Sequence, residues 1–435
     1  MLIEFSVKNF KSFRAEATLS MVASNYDKEL PGNLIDMPLA GLKDTRFVKG
    51  AALYGANASG KSNLLFALAT LQELVRESAD AKPEAAVQVE NFALAKEAVA
   101  EPVVFEVTFV AGGVRYEYAT ALSRDRVLAE RLTAYPEGKA QLWYERNWNP
   151  KTGAYEWTPE RSAYYQRDPK RVEFTRPNAF YLSTAVKLND QQLAPVYGWF
   201  TKQLHFMNLA ADGGISPSFT ALLLKDNSPQ GRRIVDLLRH ADFGVCSARA
   251  FERSWTRQEF PDGMPREMVE EIKKQKRLEI SLAHRGAGDK AVEMPWESES
   301  AGTRRFFGLA GPWLDVLASG YVVCIDELDT SMHPSMVFEL LKLVFSEKHN
   351  PKGAQIVFTT HNPLLLDPTL IRRDQVWFAD KKKTTGESFL YPLTDYKPRK
   401  GESLVRGYLS GRYGAVPFIS DGLLAGEENG GVNAR

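Results

Sequence analysis

Eight consecutive residues have the types and the spacing that the phosphates of a nucleotide require. They follow the pattern G-x-x-x-x-G-K-S, in the order Gly55, Ala56, Asn57, Ala58, Ser59, Gly60, Lys61 and Ser62. The glycines let the backbone turn so that successive amides point at one anion. Lys61 supplies a charge for the β- and γ-phosphates, and Ser62 supplies a hydroxyl for Mg²⁺. The sequence therefore predicts a phosphate-binding loop, the P-loop, with ATP and Mg²⁺ as cofactors.

The flanking residues place the P-loop between a strand and a helix. A small apolar run, residues 51–54, precedes it, and Asn63 follows it as a further predicted nucleotide-binding residue. Leu64, Leu68, Leu71 and Leu74 then recur at three-to-four spacing, which predicts a helix to about residue 78. The N-terminus of that helix adds its positive dipole end to the phosphate site. This order of elements argues against a chance glycine loop.

Two acidic residues end a second apolar strand farther along the chain. Residues 321–325 are apolar, and Asp326 and Glu327 follow them. A P-loop needs a metal partner at the end of a neighbouring strand, so we assign Asp326 with Ser62 as a Mg²⁺ ligand. Glu327 is then the predicted general base for a water that attacks the γ-phosphate. The alternative is a surface turn after a strand, which the P-loop upstream disfavours.

A histidine ends the next predicted strand. Residues 354–360 lead into His361, and Asn362-Pro363 then stops the strand. Because His361 lies at the same level of the sheet as Asp326, we interpret it as a sensor of the γ-phosphate. The alternative is a histidine with no link to the nucleotide. Lys61, Glu327 and His361 form the predicted catalytic set.

Two further stretches are weaker candidates. Ser300, Gly302 and Thr303 precede a predicted helix over residues 304–317, where a hydroxyl and backbone amides could hold a second anion or could simply cap the helix. Near the N-terminus, the run Phe10-Lys11-Ser12-Phe13-Arg14 is either a basic, aromatic turn or a contact to the nucleotide. We count Arg14 among the predicted nucleotide-binding residues.

Composition bounds the class of protein. The chain has 435 residues, of which 44% are hydrophobic and 25% charged, and a formal charge of +1. That balance offers no bulk argument for nucleic acid or membrane binding. Two cysteines, Cys246 and Cys324, are too few for a disulfide framework or a four-cysteine zinc site. The beginning of the chain lacks signal-peptide character and no run of eighteen apolar residues occurs, so we expect a soluble, cytoplasmic protein without membrane contact.

Periodicity predicts an α/β protein in four regions. Residues 1–135 hold the P-loop and an antiparallel sheet, with a hairpin over 103–122 around Gly112-Gly113. Residues 136–289 are expected to be an α/β to helical insert, part of a mainly helical stretch between the P-loop and Ser300, and Asn178–Ser183 suggests a buried strand. Residues 290–396 hold the second half of the site, and 397–435 form a C-terminal tail. Basic clusters at 273–277, on a predicted helix, and at 381–383, on a hairpin tip, could be solvated or could contact nucleic acid.

Together these motifs resemble the ABC-type ATPase heads of SMC and RecF proteins, and more closely the AAA15 family of bacterial ATPases related to OLD proteins. The matching pieces are residues 9–13, the P-loop as Walker A, Ser300 to Thr303 as the signature motif, residues 322–327 as Walker B and 360–363 as the H-loop. Residues 329–334 occupy the D-loop position, with His333 in place of an aspartate, and Gln88 is a candidate Q-loop residue. The run 408–417 is similar to that of RloA-type members.

The resemblance implies a mixed-sheet ATPase head that works as a homodimer. ATP on the P-loop of one subunit would meet Ser300, Gly302 and Thr303 of the other, so that the signature acts in trans. ATP would then switch the dimer between closed and open forms. RloA-type members act beside an RloB-type protein, which implies a partner effector.

Two functions follow from that resemblance. The first is an ATPase switch in a bacterial anti-phage defence module, with an RloB-like partner effector. The second is a RecF-type DNA-repair or recombination ATPase that binds DNA directly, which only the two basic clusters support. A self-contained nuclease is disfavoured because no Asp-x-Asp metal pair follows His361.

Overall fold

The computed structural model describes residues 1–417 apart from 208–214, 226–227, 242–243, 257–259, 262, 275 and 400. Of the predicted tail 397–435, residues 400 and 418–435 lie outside the described residues. The strands are β1 (Leu2–Lys8), β2 (Ala17–Ser20), β3 (Leu34–Ile35), β4 (Phe47–Val48), β5 (Gly50–Tyr54), β6 (Val103–Ala111), β7 (Val114–Leu122), β8 (Val127–Tyr135), β9 (Gln141–Asn149), β10 (Ala154–Thr158), β11 (Leu204–Met207), β12 (Val245–Ser254), β13 (Lys276–Arg285), β14 (Ala291–Pro295), β15 (Val322–Ile325), β16 (Gln355–Thr359), β17 (Val376–Lys381) and β18 (Ser388–Pro392).

The described α-helices lie between groups of these strands. They are α1 (Lys61–Glu77), α2 (Lys96–Ala100), α3 (Pro169–Phe174), α4 (Tyr181–Lys187), α5 (Ala194–Gly198), α6 (Ser218–Lys225), α7 (Pro229–His240), α8 (Arg266–Lys273), α9 (Ala301–Ser319), α10 (Pro334–Phe345) and α11 (Leu404–Leu409). Among the described residues, none of the helices combines the length and the apolar character needed to cross a membrane.

A six-stranded sheet forms the centre of the molecule, in the order β11-β15-β16-β5-β17-β18. Its strands are parallel except for β18, which pairs antiparallel with β17. Three of the four inner strands, β15, β16 and β5, are buried along their whole length, as expected for a parallel sheet covered on both faces. Because parallel strands end at one edge, the P-loop after β5 and the acids after β15 are brought together there.

The second large sheet is antiparallel and has seven strands, in the order β10-β9-β8-β7-β6-β1-β2. The predicted hairpin is confirmed: β6 pairs with β7, and Gly112 and Gly113 make the turn at φ 56° and 78°. Helix α1 packs in one apolar core with this sheet and with β5 and β15. Helices α9 and α10 share a second core with the other face of the central sheet. The predicted α/β fold with mixed and antiparallel sheets is confirmed.

Residues 136–289 combine the helices α3 to α8 with strands: β9 and β10 extend the antiparallel sheet, β11 joins the central sheet, and β12 and β13 pair in a three-stranded sheet with β14. One local prediction is wrong. Residues 178–183 are buried but do not form a strand, since α4 begins at Tyr181. The division of the chain into four regions stays a prediction.

Candidate nucleotide site

Close packing explains why the P-loop has a glycine at each end. A Cβ at Gly55 would collide with the carbonyl oxygen of Ala379 on β17. At Gly60, φ is 110° and a Cβ would lie 2.5 Å from Ser388 Oγ. Gly60 is also the N-cap of α1, so the loop passes directly into the helix. The predicted sequence of strand, loop and helix is therefore present, with the positive end of α1 at the loop.

Lys61 is folded back into the P-loop. Its Nζ donates to the carbonyl oxygens of Gly55, at 2.9 Å, and Ala56, at 3.1 Å. Burial lowers the pKa of Lys61 to about 8, against the opposing influence of Asp326 and Glu327. The Lys61 ammonium group is held by these two carbonyl oxygens, and a phosphate oxygen can replace them as its hydrogen-bond partner.

Three side chains join the P-loop helix to the ends of β15 and β16. Ser62 Oγ donates to Asp326 Oδ1 at 2.9 Å, and Thr359 Oγ1 donates to the same oxygen at 2.6 Å. Thr359 Oγ1 also accepts from the backbone N–H of Glu327 at 2.7 Å. Thr359 was not predicted as a site residue. The available sequence signal was its position at the end of the strand that leads to His361. Thr359 holds both acids in place.

Glu327 stands in a backbone conformation that side chains seldom adopt. Its φ is +48°, in the left-handed region. Its carbonyl oxygen accepts from Arg305 Nη2 of α9 at 2.8 Å, and its carboxylate accepts from Thr330 Oγ1 at 3.0 Å. The exposed Glu327 carboxylate is therefore held at the surface of the cleft from two sides. Such strain at a strand end is typical of functional sites.

A cleft of about 930 Å³ opens where these groups meet. It is lined by the start of the P-loop, by the loop after β15, by the histidine after β16 and by a segment near residue 410: Gly55, Ala56, Asn57, Glu327, Asp329, Thr330, His361, Pro363, Tyr408, Leu409, Val416 and Pro417. Burial, and secondarily the charge of Lys61, lower the pKa of His361, so its imidazole is neutral at neutral pH. A neutral imidazole can donate to or accept from a phosphate and its water.

The donor set fits a nucleotide with Mg²⁺. Mg²⁺ prefers oxygen ligands and keeps several waters, and Ser62 Oγ and Asp326 Oδ1 offer two oxygens beside the P-loop. Within the described residues, no cluster of three or more His, Cys, Asp or Glu side chains could hold a metal by itself. A metal at this edge would therefore need phosphate oxygens and water as further ligands, as in other P-loop sites.

Comparison with known proteins agrees with this architecture. Residues 51–367 match the family described as "AAA domain, putative AbiEii toxin, Type IV TA system". The chain belongs to this family. The matched range contains the P-loop, Asp326, Glu327 and His361. P-loop ATPase domains bind nucleotide and usually Mg²⁺.

The solved structures that match this chain include SMC heads. An SMC head domain from Thermotoga maritima is 16% identical, covers 90% of this chain and 98% of its own, and has a TM-score of 0.40. An Smc head domain with an extended coiled coil, bound to the C-terminal domain of ScpA and derived from Pyrococcus furiosus, is 13% identical, covers 91% and 97%, and has a TM-score of 0.42. No curated protein matches the chain.

Not all predicted site residues of this AAA domain lie at the cleft. Arg14 forms a two-pronged ion pair with Glu101, at 2.5 and 2.6 Å, so a contact with nucleotide requires that pair to open. Gln88 packs beside the C-terminal half of α1, which rises about 1.5 Å per residue away from the P-loop. The Q-loop candidate is therefore wrong. Asn63 lies next to the loop and donates to Ser12 Oγ at 2.8 Å.

The signature candidate is a helix cap in this chain. Ser300 is the N-cap of α9, and its Oγ accepts from the backbone N–H of Thr303 at 3.0 Å. A Cβ at Gly302 would lie 2.8 Å from the carbonyl oxygen of Ser331, so α9 begins against the loop after β15. The helix starts three residues earlier than predicted, at Ala301. Its first turn does not line the 930 Å³ cleft of the same chain.

Proposed function

We propose that this chain binds and hydrolyses ATP and acts as a dimeric switch for a partner effector. The observation that carries the proposal is the hydrogen-bond chain from Ser62 to Asp326 and from Thr359 to both Asp326 and Glu327. It links the P-loop helix to an acid suited to metal and to an acid suited to water. Few structural roles require that combination at one strand edge.

The residues divide the work of hydrolysis. The amides of residues 55–62 and the Lys61 ammonium hold the β- and γ-phosphates, with Asn63 on the next turn. Ser62 and Asp326 hold Mg²⁺, which neutralises charge on the phosphate oxygens when it is bound. Glu327 orients a water and accepts its proton, and His361 contacts the γ-phosphate. Catalysis then rests on positioning and charge stabilisation.

A second copy of the chain would complete the site. The cleft is open, and the first turn of α9 in the same chain does not line it. Ser300, Gly302 and Thr303 place a hydroxyl and backbone amides at the N-terminus of a 19-residue helix, which favours an anion. We propose that they bind the γ-phosphate of the other subunit, so that ATP closes the dimer and hydrolysis opens it.

The biological role we propose is anti-phage defence together with a partner effector. The matching family is described as a putative AbiEii toxin of a type IV toxin–antitoxin system. The motifs further resemble the AAA15 family and its RloA-type members, which would make the partner RloB-like. In this role ATP occupancy, rather than turnover rate, is the signal passed to the effector.

Direct DNA binding in the manner of RecF is the second candidate. The basic cluster at 273–277 gives DNA binding little support. The helix predicted to carry it ends at Lys273 in the structure, and its charged side chains form ion pairs. Lys273 pairs with Glu270, Lys274 with Glu271, Lys276 with Glu252 and Arg277 with Glu279. In the cluster at 381–383, Lys382 pairs with Glu387. Phosphates would have to compete with these carboxylates.

One experiment tests hydrolysis and separates the two candidate functions. Glu327→Gln removes the base but keeps the shape, so we expect ATP turnover to fall by about 10²–10⁴-fold while ATP binding and dimer formation persist. Glu339→Gln, on the exposed face of α10 with Lys342 as its partner, is the matched control. Turnover is measured with and without duplex DNA. Retained turnover in Glu327→Gln removes Glu327 as the base, and strong stimulation by DNA at physiological salt favours the second candidate.

A further inference from the structure

An arginine on α9 contacts the loop that follows β15. Arg305 is the fifth residue of α9, and its Nη2 donates to the backbone carbonyl oxygen of Glu327 at 2.8 Å. None of the motifs that predicted the site includes Arg305, because the signature candidate ends at Thr303 and the Walker B motif is residues 322–327. The hydrogen bond joins α9 directly to the residue assigned as the base.

Hydrogen bonds fix both peptide groups that flank the Cα atom of Glu327. In the peptide before it, the N–H of Glu327 donates to Thr359 Oγ1 at 2.7 Å. In the peptide after it, the carbonyl oxygen of Glu327 accepts from the backbone N–H of Thr330 at 3.1 Å and from Arg305. Because each peptide group is planar, fixing both groups also fixes the direction of the Cα–Cβ bond between them. These donors therefore set the direction in which the Glu327 side chain leaves the backbone.

The backbone after β15 needs such support. Glu327 has φ +48° and Ser331 has φ +59°, so two non-glycine residues of one short loop lie in the left-handed region. Conformations of this kind persist only where neighbouring groups hold them. Helix α9 contacts both residues: Arg305 bonds Glu327, and a Cβ at Gly302 would lie 2.8 Å from the carbonyl oxygen of Ser331. The start of α9 and this loop are therefore packed together.

Arg305 is the stronger of the two donors to the Glu327 carbonyl oxygen. Its side chain is half-buried, and burial lowers the pKa of Arg305 while the charges of Glu327 and Asp329 oppose that shift. An arginine guanidinium in a protein stays protonated. A charged donor makes a stronger hydrogen bond than a neutral one, and the Thr330 amide is neutral. Loss of Arg305 would thus remove most of the restraint on the peptide that follows Glu327.

We propose that Arg305 is a positioning residue for hydrolysis, which holds the peptide after Glu327 and thereby aims the carboxylate that orients the attacking water. This inference rests on the proposed function, because it assumes that Glu327 acts as the base. The hydrogen bonds that hold Lys61 and Ser62 do not involve Arg305. Arg305 therefore acts on the rate of the chemical step and leaves ATP binding at the P-loop unchanged.

Arg305→Met removes the charged donor and keeps most of the aliphatic stem. We expect kcat for ATP to fall about 10- to 100-fold, as for the loss of a hydrogen bond from a charged group. The dissociation constant for ATP should change less than about threefold, because the lost interaction acts on the chemical step. Urea unfolding shows whether the variant is folded. Arg305→Lys, which keeps a positive charge, replaces it if it does not fold, with a smaller loss of kcat expected.

Arg176→Met is the matched control. Arg176 Nη2 also donates to a backbone carbonyl oxygen at 2.8 Å, that of Ala79, just beyond the C-terminal end of α1. Because the P-loop lies at the other end of this 17-residue helix, the control removes the same kind of bond at a distance from the chemistry. Arg176→Met should keep kcat within about twofold of the unmodified chain.

A double substitution separates positioning from a general loss of structure. If Arg305 acts through Glu327, adding Arg305→Met to Glu327→Gln should lower the residual single-turnover rate by less than about twofold. Retained turnover in Glu327→Gln overturns the proposed function. If Glu327→Gln loses turnover but Arg305→Met has the kcat of Arg176→Met, the positioning inference fails by itself. It also fails if Arg305→Met lowers the rate of Glu327→Gln as strongly as that of the unmodified chain.

Discussion

Two carboxylates in this molecule accept hydrogen bonds from several donors, yet their surroundings are opposite. Glu130 of β8 is fully buried in the antiparallel sheet. It accepts hydrogen bonds from the hydroxyls of Tyr118 and Tyr144 and from the backbone amides of Tyr181 and Leu182, and it forms an ion pair with Arg146. Asp326 accepts from Ser62 and Thr359 through Oδ1, is half-buried, and directly precedes Glu327, which lines the cleft.

The difference separates a structural carboxylate from one that can bind a ligand. Glu130 has a complete set of donors and no solvent route, so it can only hold α4 and β9 to the sheet. Asp326 is held by two hydroxyl donors and lies directly before Glu327, which lines the 930 Å³ cleft. A site that binds metal needs both conditions: oxygens fixed by neighbours, and space for the ion with its waters.

The largest expected effect is the loss of stability on substituting Glu130, the fully buried carboxylate. Glu130→Gln leaves Arg146, which is fully buried, without its ionic partner, so the free energy of unfolding should fall by about 3–5 kcal/mol. Asp326→Asn should lower it by less than about 1 kcal/mol, because the amide oxygen still accepts from Ser62 and Thr359. Urea unfolding of both variants measures this. Equal losses would contradict the distinction between the two carboxylates.

Catalytic readouts should reverse that order. Asp326→Asn should lose ATP turnover at any Mg²⁺ concentration tested, since an amide is a poor ligand for Mg²⁺ compared with a carboxylate. Glu130→Gln, measured at a temperature where it is folded, should keep turnover within about threefold, as expected for a substitution remote from the chemistry. Turnover in Asp326→Asn that Mg²⁺ restores fully would remove Asp326 from the metal site.

Sequence alone predicted the parts of the site that are local. The P-loop was accessible because β5, the loop and α1 are consecutive, and Asp326 because an apolar strand ended in an acid. Thr359 was missed because its contact with Asp326 arises only from the parallel register of β15 and β16, in which Ile325 pairs with Phe358. That register is a long-range property of the sheet.

The same reason explains the wrong secondary structure at residues 178–183. The run is apolar and buried, which suits either a strand or a helix. The run forms a helix because Glu130, which is distant in sequence, accepts hydrogen bonds from the backbone amides of Tyr181 and Leu182 at the start of α4. Likewise β11 has four residues and is recognisable only by its pairing with β15.

An effect of intermediate size is expected on substituting Thr359, which positions Asp326. Thr359→Val keeps the shape but removes the hydroxyl that holds Asp326 and Glu327, so kcat/KM for ATP should fall about 10- to 100-fold, as for other groups that orient metal ligands. Thr359→Ser restores the hydroxyl and should recover most of the rate. Thr360→Val is the neighbouring control, because its hydroxyl accepts from the Asn362 N–H instead. If Thr359→Val and Thr360→Val lose the same rate, Thr359 has no special role.

The smallest effect concerns Ser300, where capping and ligand binding can be separated. Ser300→Ala removes the hydroxyl that accepts from Thr303, and should cost about 1 kcal/mol of stability as an ordinary N-cap loss. Ser300→Asp keeps a good cap but adds a negative charge, which a γ-phosphate from a second copy would meet directly. We therefore expect Ser300→Asp to unfold like the unmodified chain and yet to fail to dimerise with Mg²⁺-ATP in the Glu327→Gln background, as measured by light scattering. If that variant dimerises normally, Ser300 is only a helix cap, and other residues must bind the γ-phosphate of the second copy.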